Sequence, residues 1–220
     1  MPADTPALPV PPAPRRAFGP YRVCFVCLGN ICRSPMADVL LRAELAEAGL
    51  AELVEVDSAG TGDWHVGGPM DRRARAELGR HGYDGSAHRS RQFQPSWFAD
   101  RDLVLAMDRA NLADLREMAP DAEAGGPRLL LFRSFDPALA GDDPYDGQVP
   151  DPYGGPPDDY AAAFGLVQAA VRGLAGQLAG LLEAPAAPAR GGDPPELSEG
   201  AGPEGTPLRG APPRQRLGGR

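Results

Sequence analysis

Cys27 and Arg33 frame the segment Cys27-Leu28-Gly29-Asn30-Ile31-Cys32-Arg33-Ser34-Pro35, which joins a short apolar run to a helical pattern. A cysteine and an arginine so placed suit attack on a phosphate ester. The thiolate is the attacking group, and the planar guanidinium can bond two phosphoryl oxygens at once, where lysine offers a point charge. A helix starting at the end of the loop would add unpaired N–H groups and the positive end of its dipole, which hold an anion and favour a thiolate. The Cys-x5-Arg spacing alone is weak evidence in a chain with 22 arginines, so the flanking elements must supply the specificity.

Those elements are legible on both sides. Tyr21-Arg22-Val23-Cys24-Phe25-Val26 is β-branched and aromatic with a single charge, the pattern of a buried strand in a parallel sheet. After the loop, Ser34 suits an N-cap and Pro35 a first helical position, with Met36, Leu40, Ala43 and Ala46 recurring near the helical period. The Ser34 hydroxyl is also expected to donate to the Cys27 sulfur. Gly29 and Asn30 suit unusual backbone angles, so Leu28, Gly29, Asn30, Ile31, Cys32, Arg33 and Ser34 together are the expected phosphate-binding loop.

Further along, the patterns predict strands at 53–58, 102–107 and 128–132, with helices over about 69–81 and 109–118. This alternation predicts an α/β fold, a single doubly wound domain with a four-stranded parallel sheet flanked by helices. The phosphate-binding loop after the first strand then lies beyond the carboxyl ends of the strands, where ligands of such sheets sit. A last helix carries Phe164, Val167, Val171, Leu174, Leu178 and Leu181 on one stripe. Gly165, Gly173, Gly176 and Gly180 weaken it, so packing must hold it.

Expulsion of an alkoxide or phenoxide from a phosphate ester is eased by an acid. Between Phe132 and the last helix lies an acidic loop with Asp-Pro pairs at Asp136, Asp143 and Asp151, the last two followed by Tyr. Its length and composition point to a functional loop, and residue types alone leave the choice of acid open.

A length of 220 residues fits one domain, expected over residues 21–182. The Pro/Ala-rich stretch 1–20 and the Pro/Gly-rich stretch 183–220 are expected to be disordered tails, since neither can bury enough apolar surface. No apolar run is long enough for a membrane span, and the N-terminus lacks the apolar core of a signal peptide despite Arg15-Arg16, so a cytoplasmic protein is expected. The three cysteines all lie between positions 24 and 32, which excludes a framework of long-range disulfides. His65, His81 and His88 are scattered, and neither a metal nor any other cofactor is expected. The net charge of −8 argues against nucleic acid as a partner. Every Lys/Arg position is arginine, which with the abundant Ala, Gly and Pro reads as the mark of a GC-rich bacterial genome.

The stretch Val26-Cys27-Leu28-Gly29-Asn30-Ile31-Cys32-Arg33-Ser34-Pro35-Met36-Ala37 resembles the signature of the low-molecular-weight protein tyrosine phosphatases, in particular their bacterial members. Asp57-Ser58-Ala59-Gly60-Thr61, the Trp64-His65 loop, His88 with Arg91-Gln92, Met107-Asp108 and Asp151-Pro152-Tyr153 follow in the family's order, over residues 21–182. The resemblance implies hydrolysis of phosphotyrosine proteins through a phosphocysteine, without metal, and inhibition by phosphate or vanadate. It makes Cys27 the nucleophile, Arg33 the phosphate clamp and Asp151 the general acid, leaving Asp143 as solvated loop.

It also implies that Trp64 and Tyr153 wall the phenyl ring, with Gly154 where the family often has a second aromatic. The Asn30 side chain would be tied to Ser58 and His88, making His88 a structural residue rather than a base. Cys32 would be a reversible disulfide partner of Cys27, whereas Cys24 reads as core and Asp108 as a helix cap or loop anchor. Asp38 stands where the family usually has Glu. Of the rivals, a protein arginine phosphatase typically has Thr where this chain has Ile31. Thioredoxin-coupled arsenate reductases need cysteines beyond Cys32, and an inactive phosphotyrosine-binding module would lack the nucleophile, the arginine or the acid.

Overall fold

A computed structural model of the chain describes residues 8–120, 126–139, 143 and 145–183. Four strands, β1 (Tyr21–Cys27), β2 (Val54–Gly60), β3 (Leu103–Ala106) and β4 (Leu129–Leu131), form one parallel sheet in the order β2-β1-β3-β4. The helices are α1 (Arg33–Glu47), α2 (Arg72–Arg80), α3 (Arg109–Met118) and α4 (Pro157–Glu183). This is the doubly wound α/β arrangement expected from the sequence.

β1 is central and almost wholly buried because helices cover both faces, which is why it reads as a continuous apolar run. Its side chains alternate between two cores. Tyr21, Val23, Phe25 and Cys27 pack with α1 and α4, while Cys24 and Val26 join Phe93, Phe98, Leu112 and Leu115 on the other side. The central position puts the carboxyl end of β1, and hence the Cys27 loop, between the ends of β2 and β3.

Several boundaries differ from the sequence reading, each for a local reason. β2 runs on to Gly60, pairing Ala59 with Val26 and Gly60 with Cys27. A Cβ on Gly60 would stand 2.7 Å from the Leu28 carbonyl oxygen, so only glycine lets the phosphate loop fold this closely over the strand. α2 begins at Arg72 rather than near 69, because Asp71 is its N-cap and accepts from the Arg73 and Ala74 N–H groups at 2.8 and 3.2 Å. Two 3-10 turns, Pro95–Ala99 and Phe132–Phe135, were not foreseen; they form where Phe98, Phe132 and Phe135 turn into the cores. In α4, a Cβ on Gly173 would lie 1.9 Å from the Phe135 carbonyl oxygen, so this glycine is required by the crossing of helix and turn.

Residues 8–20, within the expected N-terminal tail, carry no regular structure but are hydrogen-bonded at the amino end of the sheet. Arg15 N–H donates to Asp102 Oδ1 at 2.6 Å, the Tyr21 hydroxyl to the Pro12 carbonyl at 3.1 Å, and Arg128 Nη2 to the Ala13 carbonyl at 2.9 Å. Residues 1–7 and 184–220, with the outer parts of both expected tails, lie outside the described residues. Among the described residues no helix is long and apolar enough to cross a membrane.

Candidate active site

β1 ends at Cys27 and α1 begins at Arg33, so the loop between them sits at a helix N-terminus as expected. Its carbonyls are taken up by the surrounding scaffold. Cys27 and Leu28 carbonyls accept from Thr61 and Gly62 N–H at 2.9 Å each, and the Ile31 carbonyl accepts from Asp71 N–H at 2.8 Å. Asn30 adopts the left-handed conformation at φ 54, as its position in the loop suggested, and its N–H donates to Cys27 Sγ at 3.2 Å.

Ser34 is not the N-cap. Cys32 holds that position, without a side-chain cap, because α1 begins two residues earlier than the Ser-Pro pair suggests. The Ser34 hydroxyl, freed from capping, lies 3.0 Å from Cys27 Sγ and 3.2 Å from the Ala59 carbonyl, and accepts from Asn30 Nδ2 at 2.9 Å. The Asn30 N–H therefore donates to the sulfur, and the Ser34 hydroxyl beside it, whose single proton can go either to the Ala59 carbonyl or to the sulfur, can supply a second bond once Cys27 is a thiolate.

The support of Asn30 also differs from the expected one. Its side chain bonds Ser34 and the Arg91 N–H (2.8 Å), and its carbonyl accepts from His88 Nε2 at 2.7 Å and Ser90 Oγ at 2.8 Å. His88 thus supports the loop through backbone rather than side chain. A carbonyl can only accept, so Nε2 carries a proton, and burial pushes the His88 pKa below the ordinary imidazole value. Ser58 does not reach Asn30. It faces α1, where its hydroxyl donates to Asp38 Oδ2 at 3.1 Å, and Asp38 is in turn held by Arg42 Nε at 2.6 Å.

Arg33 is 2% exposed. Nη1 donates to Asp108 Oδ2 at 2.6 Å and to the Val149 carbonyl at 3.0 Å, and Nη2 donates to Asp151 Oδ2 at 2.8 Å. Burial acts to lower its pKa, but Cys27, Asp151 and Asp108 outweigh it, so the guanidinium is held firmly charged. Its Nε is buried without a hydrogen-bond partner among the described residues. Asp108 caps α3 through the Asn111 N–H at 2.7 Å and also holds Arg33.

Asp151 stands at the other side of the same cleft, its Oδ1 accepting from Tyr153 N–H at 3.2 Å. The cleft has a volume of about 100 Å³, with Cys27, Arg33 and Asp151 in its lining and Trp64, His65 and Tyr153 at its mouth. Trp64 and Tyr153 are 69% and 60% exposed, so neither is explained by the core. Asp143 is not solvated loop. Both its oxygens are held by Arg133 at 3.0 Å each, and Oδ2 also accepts from Gly147 N–H at 2.7 Å. Burial acts to raise its pKa, but the Gly147 N–H and the Arg133 guanidinium outweigh it and hold the carboxyl below the usual range. Cys32 is a buried free thiol beside the cleft, its pKa raised by burial and by the negative charges of Asp71, Cys27 and Asp151.

With this geometry in view, the family model for low molecular weight phosphotyrosine protein phosphatase matches residues 22–183. The chain belongs to that family. A low molecular weight protein-tyrosine-phosphatase of Streptomyces coelicolor is 53% identical over 154 residues, covering 70% of this chain and 91% of the relative. A solved protein tyrosine phosphatase of Entamoeba histolytica with Hepes in its active site aligns with a TM-score of 0.65 at 30% identity, covering 72% of this chain and 96% of that one. A further solved structure, Wzb of Vibrio vulnificus in complex with benzylphosphonate, aligns with a TM-score of 0.59 at 26% identity over 72% of this chain and 99% of its own.

Within the phosphatase site, sequence reasoning missed Ser90, His65 and Arg133. Ser90 lies between His88 and Arg91, and His65 beside Trp64, so adjacency to named residues was the available signal. Arg133 had no such marker, because its partners Asp136, Asp143 and the Gln148 carbonyl are spread over three to fifteen residues of the loop that follows.

Proposed function

We propose that this chain hydrolyses phosphotyrosine in proteins through a phosphocysteine intermediate. The observation that carries the proposal is the meeting, in one cleft, of the Cys27 sulfur, a buried arginine with a partnerless Nε, and the Asp151 carboxyl. An orphaned, charged donor beside a nucleophile at a helix N-terminus fits an anionic phosphoryl group.

In the first step the Cys27 thiolate attacks phosphorus in line, a sulfur–phosphorus bond forms and the bond to the phenolic oxygen breaks. Arg33 and the N–H groups from Leu28 to Arg33 hold the equatorial oxygens, where charge builds up in the transition state. A phosphoryl oxygen that takes Arg33 Nη2 releases Asp151 from its ion pair; the freed carboxylate, now beside the anionic phosphate, takes up a proton from water, and Asp151 passes that proton to the departing phenolic oxygen as its bond to phosphorus breaks. In the second step the Asp151 carboxylate removes a proton from water as its oxygen attacks phosphorus. The products are inorganic phosphate and the regenerated thiolate.

Trp64 and Tyr153 are positioned to grip the aromatic ring, so that phosphotyrosine reaches the sulfur and the shorter phosphoserine does not. The benzylphosphonate complex of the Vibrio vulnificus neighbour supports an aryl ligand of this shape. The reading includes inhibition by phosphate and vanadate, a reversible Cys27–Cys32 disulfide that protects the nucleophile, and action in the bacterial cytoplasm, which suits three free thiols. Asp108 acts through Arg33 and is a positioning residue.

The test is turnover of a phosphotyrosine peptide at mildly acid pH, with phosphoarginine in parallel. Wild type is expected to prefer phosphotyrosine, Cys27→Ser to be inactive, and Asp151→Asn to be slowed by about 10²-fold or more. Preference for phosphoarginine would overturn the substrate class, and equal turnover by wild type and Cys27→Ser would overturn the mechanism.

A further inference from the structure

Arg133 sits in the 3-10 turn after β4, its side chain 4% exposed. One guanidinium there holds three points of the acid-bearing loop. Nε and Nη2 donate to Asp136 Oδ2 at 3.3 and 3.0 Å, Nη1 and Nη2 donate to the two Asp143 oxygens, and Nη1 also donates to the Gln148 carbonyl at 3.1 Å. Asp143 passes the restraint on. Its Oδ2 accepts from the Gly147 N–H, in a turn where Asp146 and Gly147 both have positive φ (50 and 72). The next residue but one, Val149, is fully buried, donates its N–H to the Met107 carbonyl at 2.8 Å, and offers its own carbonyl to Arg33. Asp151 follows two residues later.

We infer that Arg133 and Asp143 are positioning residues for the general acid: their two-bonded ion pair fixes where the loop re-enters the site and hence where Asp151 stands. This rests on the reading of Asp151 as the acid. A fork-to-carboxylate pair constrains orientation as well as distance, which a single hydrogen bond or a lysine does not. Neither residue lines the Cys27 cleft, so neither touches the reacting atoms.

Protonation of the leaving group matters most when that group is a poor one. The test therefore compares kcat/KM for phenyl phosphate and for p-nitrophenyl phosphate, whose leaving group needs little help. The proteins are wild type, Asp151→Asn, Asp143→Asn, Arg133→Lys and the Asp143→Asn/Asp151→Asn double variant, each with a thermal melt. Asp143→Asn leaves Arg133 paired with Asp136 and keeps the side-chain shape, so it is the variant that spares the fold; Arg133→Lys keeps the charge and removes the fork.

Misplacing the acid is expected to cost Asp143→Asn about tenfold on phenyl phosphate and under about threefold on p-nitrophenyl phosphate. Arg133→Lys is expected to show the same signature, with the inhibition constant for inorganic phosphate unchanged in both. In the Asp151→Asn background the Asp143 change should add nothing. An equal loss on both substrates, or no loss, in Asp143→Asn and Arg133→Lys overturns the inference while Asp151→Asn still shows the leaving-group effect. Absence of that effect in Asp151→Asn would instead overturn the acid assignment, and this inference with it.

Discussion

Arg33 is held on one side by Asp108 and the Val149 carbonyl and on the other by Asp151, which leaves its Nε for a ligand. Lysine cannot reproduce that geometry, so Arg33→Lys is expected to lower kcat/KM for phosphotyrosine by about 10²-fold or more, measured by initial rates. His88 gives a pH prediction. Burial depresses its pKa in the folded chain below 6.5, so on acidification the unfolded chain takes up the proton first. The stability His88 contributes is therefore present above about pH 6.5 and lost as pH falls towards the folded-state value. The melting-temperature gap between wild type and His88→Gln should narrow on going from about pH 7 to about pH 5, and a gap that widens would contradict the assignment. Among these residues Cys27 and Arg33 were legible because each combines a chemical group with a marker of local structure, a strand end before and a helix start after, whereas Asp108 was reached only through the family resemblance. The partners of Asn30 were not, because Ser58 and Ser90 are equally plausible as residue types and only the folded chain shows which one faces the loop.

The elements explain why the loop keeps its shape. Gly60 lies under the Leu28 carbonyl, so Gly60→Ala is expected to lower both the melting temperature and kcat/KM, a coupling that a purely structural position would not show. In α4, Gly173 faces the Phe135 carbonyl whereas Gly176 faces open space. Gly173→Ala should destabilise by about 1–3 kcal/mol and Gly176→Ala should stabilise by about 0.5–1 kcal/mol in chemical denaturation. The four strands and four helices were visible in sequence because apolar period and capping are local signals. The two 3-10 turns and the last two residues of β2 were not, since they depend on tertiary partners: a buried Phe in the turns, and the phosphate loop over Ala59 and Gly60. The glycines of α4 look alike in sequence, and only the crossing with the Phe132–Phe135 turn separates Gly173 from the others.

For the molecule as a whole, the charge of −8 opposes the approach of an anionic substrate, while inside the cleft Arg33 supplies a short-range cationic donor. Screening weakens the first more than the second, because the Debye length shrinks to about 8 Å at physiological salt. The kcat/KM for an acidic phosphotyrosine peptide is thus expected to rise on going from about 10 mM to about 150 mM salt, with a smaller rise for a neutral peptide. A fall for the acidic peptide would show that the arginines around the cleft dominate at long range. Composition revealed the global charge and no more; which of the 22 arginines comes to lie beside a thiol follows only from the fold, which buries Arg33 next to Cys27.

The proposed chemistry requires that Cys27 carry the phosphoryl group between the two steps. Rapid quenching of the Asp151→Asn protein with p-nitrophenyl phosphate, followed by mass analysis of its peptides, tests it most directly, since slowing the second step lets the intermediate accumulate. One phosphoryl group is expected on the Cys27 peptide, absent from the Cys27→Ser/Asp151→Asn protein. Turnover without that adduct, or an adduct that persists when Cys27 is replaced, would contradict it.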